Sequence, residues 1–422
     1  MRASGAGRSW SATRLGAYGL RRRCDAGDRC RASTAGAGCA ARLPQTVEAE
    51  PHLTLPDGAP PLPFLGVAIG VLGFELGREV ERLPATTRDD VGAPDLAFGW
   101  YDAALVWDGE RGEGWLAGRA DAVHALRSRL AGTSPAPAAP ASAGVLRSNM
   151  TRTAYLRAVA RARAYIEAGD IYQVNLSQRF SAPYGGRGFD LYRCLRSVSP
   201  APFAAHLDLR GDFGGVEVLS SSPERFLRAA DDRLETRPIK GTRPRGATPE
   251  EDARLADALC ASTKDRAEHL MIVDLERNDL GRVAVTGSVR VSEFAALETY
   301  AQVHHLTSTV EALLRATFPD GSITGAPKIR ALELIDELEP TVRGIYTGSI
   351  GYLSAHGPID LNIAIRTITL ADGVAHLHVG GAIVFDSDPE TEYAETLDKA
   401  RGMARALGVA LSDEVDAPPP AR

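Results

Sequence analysis

Apolar residues recur every three or four positions in two long segments of the chain, which is the spacing of a helix with one buried face. The first segment predicts a helix from about residue 152 to residue 168 that ends at Gly169. The second predicts a last helix that is capped by Asp388, opens at Pro389 and runs to about Leu407. The apolar faces of these helices consist of Tyr155, Val159, Ala162 and Ile166, and of Leu397, Ala400, Ala404 and Leu407.

Polar residues predict three further helix starts, because Ser and Thr side chains accept hydrogen bonds from the first free N–H groups of a helix. One start is a capping box with proline at the first helical position (TPEE, 248–251). Another precedes an acidic pair, and the third would open at Ala326-Pro327. The predicted caps are Thr248, Ser262, and either Ser322 or Thr324.

Short apolar runs between the helices predict strands. The longest run, Phe64 to Phe74, is too short to span a bilayer and is typical of a buried strand. Strands and helices alternate irregularly with glycine-rich joints, which predicts an α+β fold of the mixed α/β kind. The other predicted strands run from Tyr172 to Phe180, Val216 to Leu219, Val283 to Val285, Ser349 to Leu353, Asn362 to Leu370 and Ala382 to Phe385.

Composition separates a folded middle from two atypical ends. Residues 1–50 are rich in Arg, Ala, Gly and Ser, which favours a disordered or mis-started extension over an organelle transit peptide. No apolar stretch follows the charged start, so it is not a secretory signal. The expected divisions are 1–50 as this extension, 61–131 as a shortened N-terminal part of the fold, 132–144 as a Pro/Ala/Ser linker, 145–411 as the catalytic domain and 412–422 as a disordered tail.

Charge and cysteine usage exclude several function classes. The 422 residues carry a formal net charge of -6, so neither nucleic acid nor an anionic membrane is an expected partner. None of the 5 cysteines lies in a C-x-x-C pair, which argues against a zinc site or a redox pair. Scattered thiols, odd in number, are typical of reduced cysteines in a cytoplasmic protein.

The segment from Arg237 to Gly246 (RPIKGTRPRG) combines one lysine with glycines, prolines and arginines. Because Pro and Gly interrupt it throughout, it is a poor strand interior and predicts a rigid cationic turn that can approach an anionic small molecule. Lys240 is the one cation here that a partly desolvated pocket can convert into a free amine nucleophile. A solvated basic loop is the alternative for this segment taken alone.

Two predicted helices each carry an acidic pair three residues apart, which places both carboxylates of a pair on one helical face. If the two helices face each other, these oxygens form a site suited to Mg²⁺. Solvated helix faces are the alternative, although one pair runs directly into an apolar stretch (LMIV, 270–273). The two pairs are Asp265 with Glu268, and Glu392 with Glu395.

Four other sites are candidates for chemistry or ligand contact. Glu224 follows a predicted strand and is a general acid or base candidate, with a surface Glu-Arg pair as the alternative. The segment GSITGAPK (321–328) offers hydroxyls and free N–H groups at a helix start. Gly380-Gly381 allows close approach of the main chain, and Arg366 within an apolar run calls for an anionic partner.

Taken together, these motifs resemble the chorismate-utilising enzymes over about Pro61 to Leu411. The resemblance implies a fold of large antiparallel or mixed sheets flanked by helices. The segments that carry it are GDIYQVNLSQRF (169–180), SSPERF (221–226), PIKGTRPRG (238–246), HLMIVDLERNDLGRV (269–283), GSITGAPK (321–328), GSIGYL (348–353) and EYAET (392–396).

Two positions indicate a branch of this family. Anthranilate synthases usually have Ala where this chain has Lys240, whereas the aminodeoxychorismate synthases have Lys. The water-using branch usually has a lysine base where this chain has Gln173. Since Gln cannot act as a base at neutral pH, the resemblance implies ammonia as the nucleophile. Anthranilate synthesis is the alternative function, and a weakly active, truncated partner of a glutaminase is a further one.

The resemblance also implies roles for individual residues. Lys240 would attack chorismate, with Glu224 as proton donor to the leaving hydroxyl. Mg²⁺ would be held by Glu268 and Glu395, with Asp265 and Glu392 behind them. The implied substrate-contact residues are Gly241, Thr242, His305, Ser322, Tyr346, Arg366 and Gly380.

A separate glutamine amidotransferase subunit is the implied source of ammonia. Two departures from the family pattern stand out in this chain. Ala382 replaces a frequent Gly, which adds a methyl group near the substrate, and the segment before Pro61 is shorter than is usual in the family.

Overall fold

The computed structural model describes residues 62–411, except 64–65, 132–142, 212–214, 231, 301–302, 314–322 and 410. The predictions for residues 1–50 and 412–422, for Ser322 and for most of the linker therefore lie outside the described residues. Cys194 and Cys260 are free thiols, and the other three cysteines lie outside the described residues.

Strands dominate the described part of the chain. They are β1 (Val67–Leu72), β2 (Leu96–Tyr101), β3 (Ala103–Asp108), β4 (Glu113–Gly118), β5 (Arg147–Ser148), β6 (Gln173–Pro183), β7 (Phe203–Asp208), β8 (Val216–Ser222), β9 (Arg225–Ala230), β10 (Arg233–Arg237), β11 (Ile239–Pro244), β12 (Arg290–Thr299), β13 (Val303–Leu313), β14 (Gly325–Ala326), β15 (Ser349–Ser354), β16 (Ile359–Asn362), β17 (Thr367–Ala371) and β18 (Val374–Ile383).

The helices flank these strands. They are α1 (Gly77–Val80), α2 (Ala120–Leu130), α3 (Arg152–Glu167), α4 (Gly188–Val198), α5 (Pro249–Ala261), α6 (Thr263–Gly281), α7 (Lys328–Leu338) and α8 (Pro389–Ala406), and a 3-10 helix spans Phe74–Leu76.

Within the described residues, two large sheets form the framework. The first has nine strands in the order β11-β13-β10-β9-β16-β15-β1-β2, with β12 also paired to β13. The second has seven strands in the order β14-β6-β18-β17-β8-β7, with β5 paired to β6. The strand pairings are antiparallel. The mixed α/β fold with large antiparallel sheets, expected from the sequence, is confirmed.

The main hydrophobic core lies between the second sheet and the helices α3, α4, α7 and α8. It includes the predicted apolar faces of α3 and α8, since seven of those eight residues are buried and Ile166 packs against them. No helix in the described part of the chain is long and apolar enough to cross a membrane.

Three of the predicted helix caps are confirmed. The hydroxyl of Thr248 accepts the N–H of Glu251 at 3.2 Å, and that of Ser262 accepts the N–H of Asp265 at 3.2 Å. Asp388 caps α8 in the same way. The cap predicted at Thr324 is wrong, because the next two residues form β14 against β6 and α7 begins only at Lys328, with no side-chain cap.

Two strand predictions are also wrong. Val283 and Ala284 donate their N–H groups back to Leu280 at the end of α6, so the run at 283–285 is a helix-terminal turn. The run from Asn362 to Leu370 is divided between β16 and β17, which belong to different sheets. An apolar run has the same composition whether it stays in one sheet or crosses to another, so its sequence did not reveal the break.

Candidate active site

The chain crosses from one sheet to the other at two neighbouring places, and both carry candidate residues. Glu224 lies between β8 of the second sheet and β9 of the first, and Arg366 lies between β16 and β17. The N–H of Ile363 donates to the carbonyl of Glu224 at 3.1 Å, and the Ser222 hydroxyl donates to the carbonyl of Ile363 at 2.6 Å. The two crossings are therefore held side by side.

Lys240 lies on β11, at the edge of the first sheet, opposite Leu306 of β13. The sequence-based prediction of a turn is wrong here, because an edge strand with a bulge tolerates Pro and Gly. The register shifts between Lys240 and Thr242, where Gly241 has φ +77°. A Cβ at Gly241 would lie 3.2 Å from that of Asp265, so glycine lets β11 approach α6 closely.

Burial lowers the pKa of the Lys240 amine below the usual lysine value. The negative charge of Glu224 opposes this decrease most strongly, and those of Glu268 and Glu395 also oppose it. The positive charge of Lys399 adds to the decrease. Lys240 is thus a desolvated amine with a second cation, Lys399, close enough to disfavour its charged form. Desolvation and a neighbouring cation are the two influences that generate a nucleophilic lysine, and the nearby carboxylates limit their effect.

Glu224 is 4% exposed and is aimed at the start of β11. One of its carboxylate oxygens accepts the main-chain N–H of Ile239 at 3.0 Å. The alternative of a surface Glu-Arg pair is not what the structure has, because Arg225 pairs with Asp360 at 3.0 Å and with Glu235 at 2.6 Å. Glu224 therefore lies beside Lys240 without a salt bridge to its sequence neighbour.

Thr242, His305 and Arg366 form a hydrogen-bonded row. The Thr242 hydroxyl lies 2.9 Å from Nδ1 of His305, and a guanidinium nitrogen of Arg366 lies 3.3 Å from Nε2. Because arginine can only donate, Nε2 accepts and Nδ1 carries the ring proton. Burial, with the nearby charge of Arg366, lowers the pKa of His305 to about 3, so the ring is neutral at physiological pH.

Arg366 occupies irregular backbone rather than the strand predicted for it. Its φ of 50° lies in the left-handed region, so its side chain leaves the pattern of alternating strand faces. Burial lowers its pKa, although an arginine remains charged, and Glu224 opposes that shift. Among the described residues it forms no salt bridge, and its hydrogen-bond partner is the neutral His305. A buried guanidinium of this kind can receive an anionic ligand.

The two acidic pairs lie on α6 and α8, and they are close enough to influence each other's charge. Burial raises the pKa of Glu268. The positive charges of Lys264 and Lys240 oppose this increase, whereas the negative charges of Asp265 and Glu395 add to it. Burial likewise raises the pKa of Glu392, with a further increase from Glu395. The solvated-face alternative is therefore wrong for these two glutamates.

Each of the four carboxylates also has a partner within the chain. Arg243 binds Asp265 at 2.7 Å, and Ser387 donates to Glu392 at 2.7 Å. Lys264 lies 3.8 Å from Glu268, and Lys399 lies 2.6 Å from Glu395. As these side chains lie, no three Asp, Glu, His or Cys residues of the described chain converge closely enough to hold a metal ion.

The donor chemistry nevertheless fits Mg²⁺. The available donors are carboxylate oxygens, which Mg²⁺ prefers, and repulsion among them favours a bound cation. Mg²⁺ commonly takes only one or two protein carboxylates and completes its coordination with waters and substrate oxygens. The site fits such a shared ion better than a cage built entirely by protein.

Lys399 is a site residue that the sequence reasoning missed. Its ammonium lies 2.6 Å from Glu395 and donates to the carbonyl of Gly380 at 2.7 Å. It also depresses the pKa of Lys240 and of His305. A glutamate four residues before a lysine is usually a surface helix pair, so the spacing alone gave no functional signal.

Gly380 and Gly381 lie on β18 and face different neighbours. A Cβ at Gly380 would lie 2.5 Å from the carbonyl oxygen of Leu176 on β6. A Cβ at Gly381 would lie 3.2 Å from a carboxylate oxygen of Glu392 and 3.6 Å from one of Glu395. Gly380 is thus required by close strand packing, whereas Gly381 lies against the acidic cluster.

Tyr346 lies in a turn that leads into β15. Its ring stacks on that of His378 with centroids 5.2 Å apart and an interplanar angle of 10°. Burial raises the pKa of the Tyr346 hydroxyl, Arg343 opposes the shift, and Glu339 and Glu224 add to it. Tyr346 thus lies within electrostatic range of the Glu224 site.

Gln173 begins β6, opposite Ala326 of β14. It is fully buried, and neither its amide nitrogen nor its amide oxygen has a hydrogen-bond partner among the described residues. Buried amide groups are normally paired with protein or ordered water, so this amide is able to pair with a water or a small polar ligand.

Comparisons with known proteins agree with this site. A family model described as chorismate binding enzyme matches residues 23–405. Aminodeoxychorismate synthase component 1 of Klebsiella aerogenes is 48% identical over 362 residues, which cover 83% of this chain and 79% of that protein. Anthranilate synthase component 1 of Thermus thermophilus is 44% identical over 367 residues, with coverage of 82% and 79%.

A solved structure is similar throughout the same region. The crystal structure of anthranilate synthase component I from Streptococcus pneumoniae matches with a TM-score of 0.74 and 34% identity, covering 83% of each chain. The matched residues include both large sheets, Lys240 and the two acidic pairs, so this chain belongs to the family of chorismate binding enzymes.

Proposed function

We propose that this protein is component I of an aminodeoxychorismate synthase, which converts chorismate and ammonia into 4-amino-4-deoxychorismate for 4-aminobenzoate and folate synthesis. The observation that carries the proposal is the partly desolvated Lys240 beside Glu224. The 48% identity to the Klebsiella aerogenes protein of that name supports it.

Lys240 acts as the nucleophile. Its neutral amine attacks C2 of chorismate, both ring double bonds shift, and the C4 hydroxyl leaves as water with a proton from Glu224. The attacking nitrogen, which is positively charged after bond formation, returns one proton to Glu224. Ammonia then attacks C4, both double bonds shift back, and the C2–N bond breaks as the lysine nitrogen takes the proton from Glu224 and the new C4 amine loses one of its own. The enolpyruvyl group stays intact, and the sum is replacement of the C4 hydroxyl by an amino group.

The row of Thr242, His305 and Arg366 binds the substrate. The Arg366 guanidinium provides the positive partner for the enolpyruvyl carboxylate, and the neutral His305 fixes its direction. Thr242 and Gly241 on β11, Tyr346 in its turn and Gly380 on β18 complete the contacts with the substrate. Ser322 belongs to the same proposed set but lies outside the described residues.

The acidic cluster is the proposed Mg²⁺ site. Glu268 and Glu395 would hold the ion, and Asp265 and Glu392 would support them through charge and hydrogen bonds. When bound, Mg²⁺ supplies positive charge for the ring carboxylate of chorismate. Lys264 and Lys399 now neutralise these glutamates in part and would have to turn aside.

Ammonia is the proposed nucleophile in the second step. Gln173 offers an unpaired buried amide that can hydrogen-bond ammonia but cannot deprotonate water. A glutamine amidotransferase subunit is the proposed source of that ammonia. The word "component" in the names of the curated relatives supports a partner subunit.

Anthranilate synthesis is the second candidate. The 44% identity to the Thermus thermophilus protein favours it almost as strongly as the first relative favours aminodeoxychorismate. The two reactions differ in the carbon that keeps the nitrogen, so the product distinguishes them.

The test is a product assay with purified protein, chorismate, Mg²⁺ and excess ammonium, with and without an added aminodeoxychorismate lyase. Formation of 4-aminobenzoate only when the lyase is present supports the proposal. Anthranilate formed without the lyase would assign the protein to the second candidate. The control is the same assay with ammonium omitted.

A further inference from the structure

A carboxylate outside the lysine site holds the turn that carries Tyr346. Glu75 lies in the 3-10 helix that follows β1. Its two carboxylate oxygens accept the main-chain N–H groups of Arg343 and Gly344, each at 2.9 Å. The N–H of Phe74 donates to the carbonyl of Gly344 at 2.8 Å, so this turn is bound to the N-terminal layer on both sides of Gly344.

The turn is short enough to transmit a displacement to the substrate site. The N–H of Tyr346 donates to the carbonyl of Arg343 at 3.2 Å. Thr347 has a φ of 58°, and its N–H donates to Ala364 in the sheet crossing that also carries Arg366. Tyr346 therefore lies between two fixed points of the turn, Glu75 at 343–344 and the sheet crossing at Thr347.

Ring contacts reinforce the same connection. The guanidinium of Arg343 lies 4.8 Å from the ring centre of Phe74 and 5.7 Å from that of Tyr346. It also forms a buried salt bridge with Glu339 at 2.6 Å. Arg343 is thus a rigid element between the N-terminal layer and the substrate-side ring, and Glu75 holds its main chain.

We propose that Glu75 is a positioning residue for chorismate binding, because its carboxylate fixes the turn at Arg343 and Gly344 that directs Tyr346 toward the substrate. The inference rests on the proposed function, which assigns Tyr346 to substrate contact.

Glu75 can exchange protons with solvent, because it lines a cavity of about 160 Å³. A space of this size holds several waters. Burial raises the pKa of Glu75 to about 7, the hydrogen bond from Arg343 and the charge of Arg78 oppose that shift, and Asp95 adds to it. The other charged or titratable residues that line the cavity are Asp89, His376 and His378.

The sign of the effect follows from the hydrogen bonds. An ionised carboxylate accepts a hydrogen bond from both N–H groups. In the protonated acid one oxygen carries a hydrogen and is a weaker acceptor, so one of the two hydrogen bonds is weakened. The turn is therefore held more firmly above pH 7 than below it. Glu268 and Glu392 near the proposed substrate site also have raised pKa values, so the contribution of Glu75 is the part of the pH dependence of chorismate binding that Glu75→Gln removes.

The experiment compares wild type, Glu75→Gln and Asp95→Asn from about pH 5.5 to about pH 8.5. Every protein in this comparison also carries Lys240→Ala, so that chorismate binds without forming the lysine adduct, and wild type here means unchanged at positions 75 and 95. Two quantities are measured without ammonia: the hydrogen exchange of amides 343–348 and the equilibrium dissociation constant of chorismate with Mg²⁺. At each pH the amide exchange rate and the dissociation constant of a variant are divided by those of wild type, because the intrinsic rate of amide exchange itself depends on pH.

In wild type we expect chorismate affinity to rise about 10-fold as pH increases through the Glu75 transition, the scale of one hydrogen bond to a charged group. Glu75→Gln should bind weakly at every pH and show faster exchange at 343–344. Asp95→Asn should move the transition to lower pH, because the Asp95 charge raises the Glu75 pKa.

A Glu75→Gln profile that keeps the wild-type transition would overturn the inference, as would an unmoved transition in Asp95→Asn. If Glu75→Gln does not fold, the shift of the pH transition in Asp95→Asn tests the role of Glu75 by itself. If wild type binds no chorismate, the proposed function fails, and amide exchange at 343–344 still decides whether Glu75 holds the turn.

Discussion

Glu224 accepts the main-chain N–H of Ile239 at 3.0 Å, and Ile239 directly precedes Lys240 in β11. A crossing between the two sheets is thereby joined to an edge strand of the first sheet. The proposed proton donor and the proposed nucleophile are therefore positioned relative to each other by main chain, before substrate arrives. Such positioning removes part of the entropic cost of bringing reacting groups together.

Replacing the lysine tests its covalent role. Lys240→Ala should lower aminodeoxychorismate formation by roughly 10³-fold or more, the scale on which losing a nucleophile acts. Ammonia can then attack C2 directly, so anthranilate is the expected minor product. Products are separated by chromatography and identified by mass. Lys240→Arg keeps the charge without a nucleophile, and a normal rate in that variant would contradict the covalent role.

The pH dependence of Lys240 acylation by an amine reagent, without substrate, should report the Lys240 pKa. Only the neutral amine reacts, so the acylation rate should rise with pH and level off below the usual lysine value of 10.5. Rapid-quench mass spectrometry measures this rate. A plateau at or above the usual value would show that burial does not activate the amine.

Two neighbours should move that transition in opposite directions. Glu224 raises the Lys240 pKa, so Glu224→Gln should shift the midpoint to lower pH. Lys399 lowers the Lys240 pKa, so Lys399→Gln should shift the midpoint to higher pH. Shifts of the same sign in both variants would be inconsistent with this charge arrangement.

The proposed metal site predicts a selective loss of Mg²⁺ affinity. Glu268→Gln or Glu395→Gln should raise the Mg²⁺ concentration for half-maximal activity on the order of 10- to 100-fold. Asp274→Asn on α6 and Asp398→Asn on α8 are matched controls, because both carboxylates are exposed and pair with an arginine on their own helix. An unchanged Mg²⁺ titration in both glutamate variants would remove the assignment.

Substitutions of the two adjacent glycines of β18 should have different effects on stability and on the Mg²⁺ requirement. In Gly381→Ala the new methyl meets the flexible end of Glu392, so folding should persist while the Mg²⁺ requirement rises. In Gly380→Ala the methyl meets main chain of β6, so the melting temperature should fall by several degrees, the scale of about 1 to 3 kcal/mol of overpacking. Thermal unfolding together with Mg²⁺ titration separates the two; equal effects on both quantities would argue against the geometry of β18.

Local signals in the sequence predicted much of this arrangement. Thr248, Ser262 and Asp388 cap helices as expected, because capping depends on a few adjacent residues. The acidic pairs were recognised because spacing within a helix fixes which side chains share a face.

Features that depend on distant parts of the chain were not predictable in the same way. Lys240 lies on an edge strand, and an edge is defined only by the order of strands in the sheet. Arg366 lies where the chain changes sheets, which its apolar neighbours do not reveal. Lys399 matters because it reaches the carbonyl of Gly380, a contact between a helix and a strand.

Trapping the covalent intermediate shows whether Lys240 is the nucleophile. Wild-type protein would be mixed with chorismate and Mg²⁺ in the absence of ammonia, quenched in acid, digested and examined by peptide mass spectrometry. A nucleophilic Lys240 gives its peptide a mass increase equal to chorismate minus one water, and this increase is lost when ammonium is added before the quench. An unmodified Lys240 peptide from protein that forms aminodeoxychorismate under the same conditions with ammonium would contradict it.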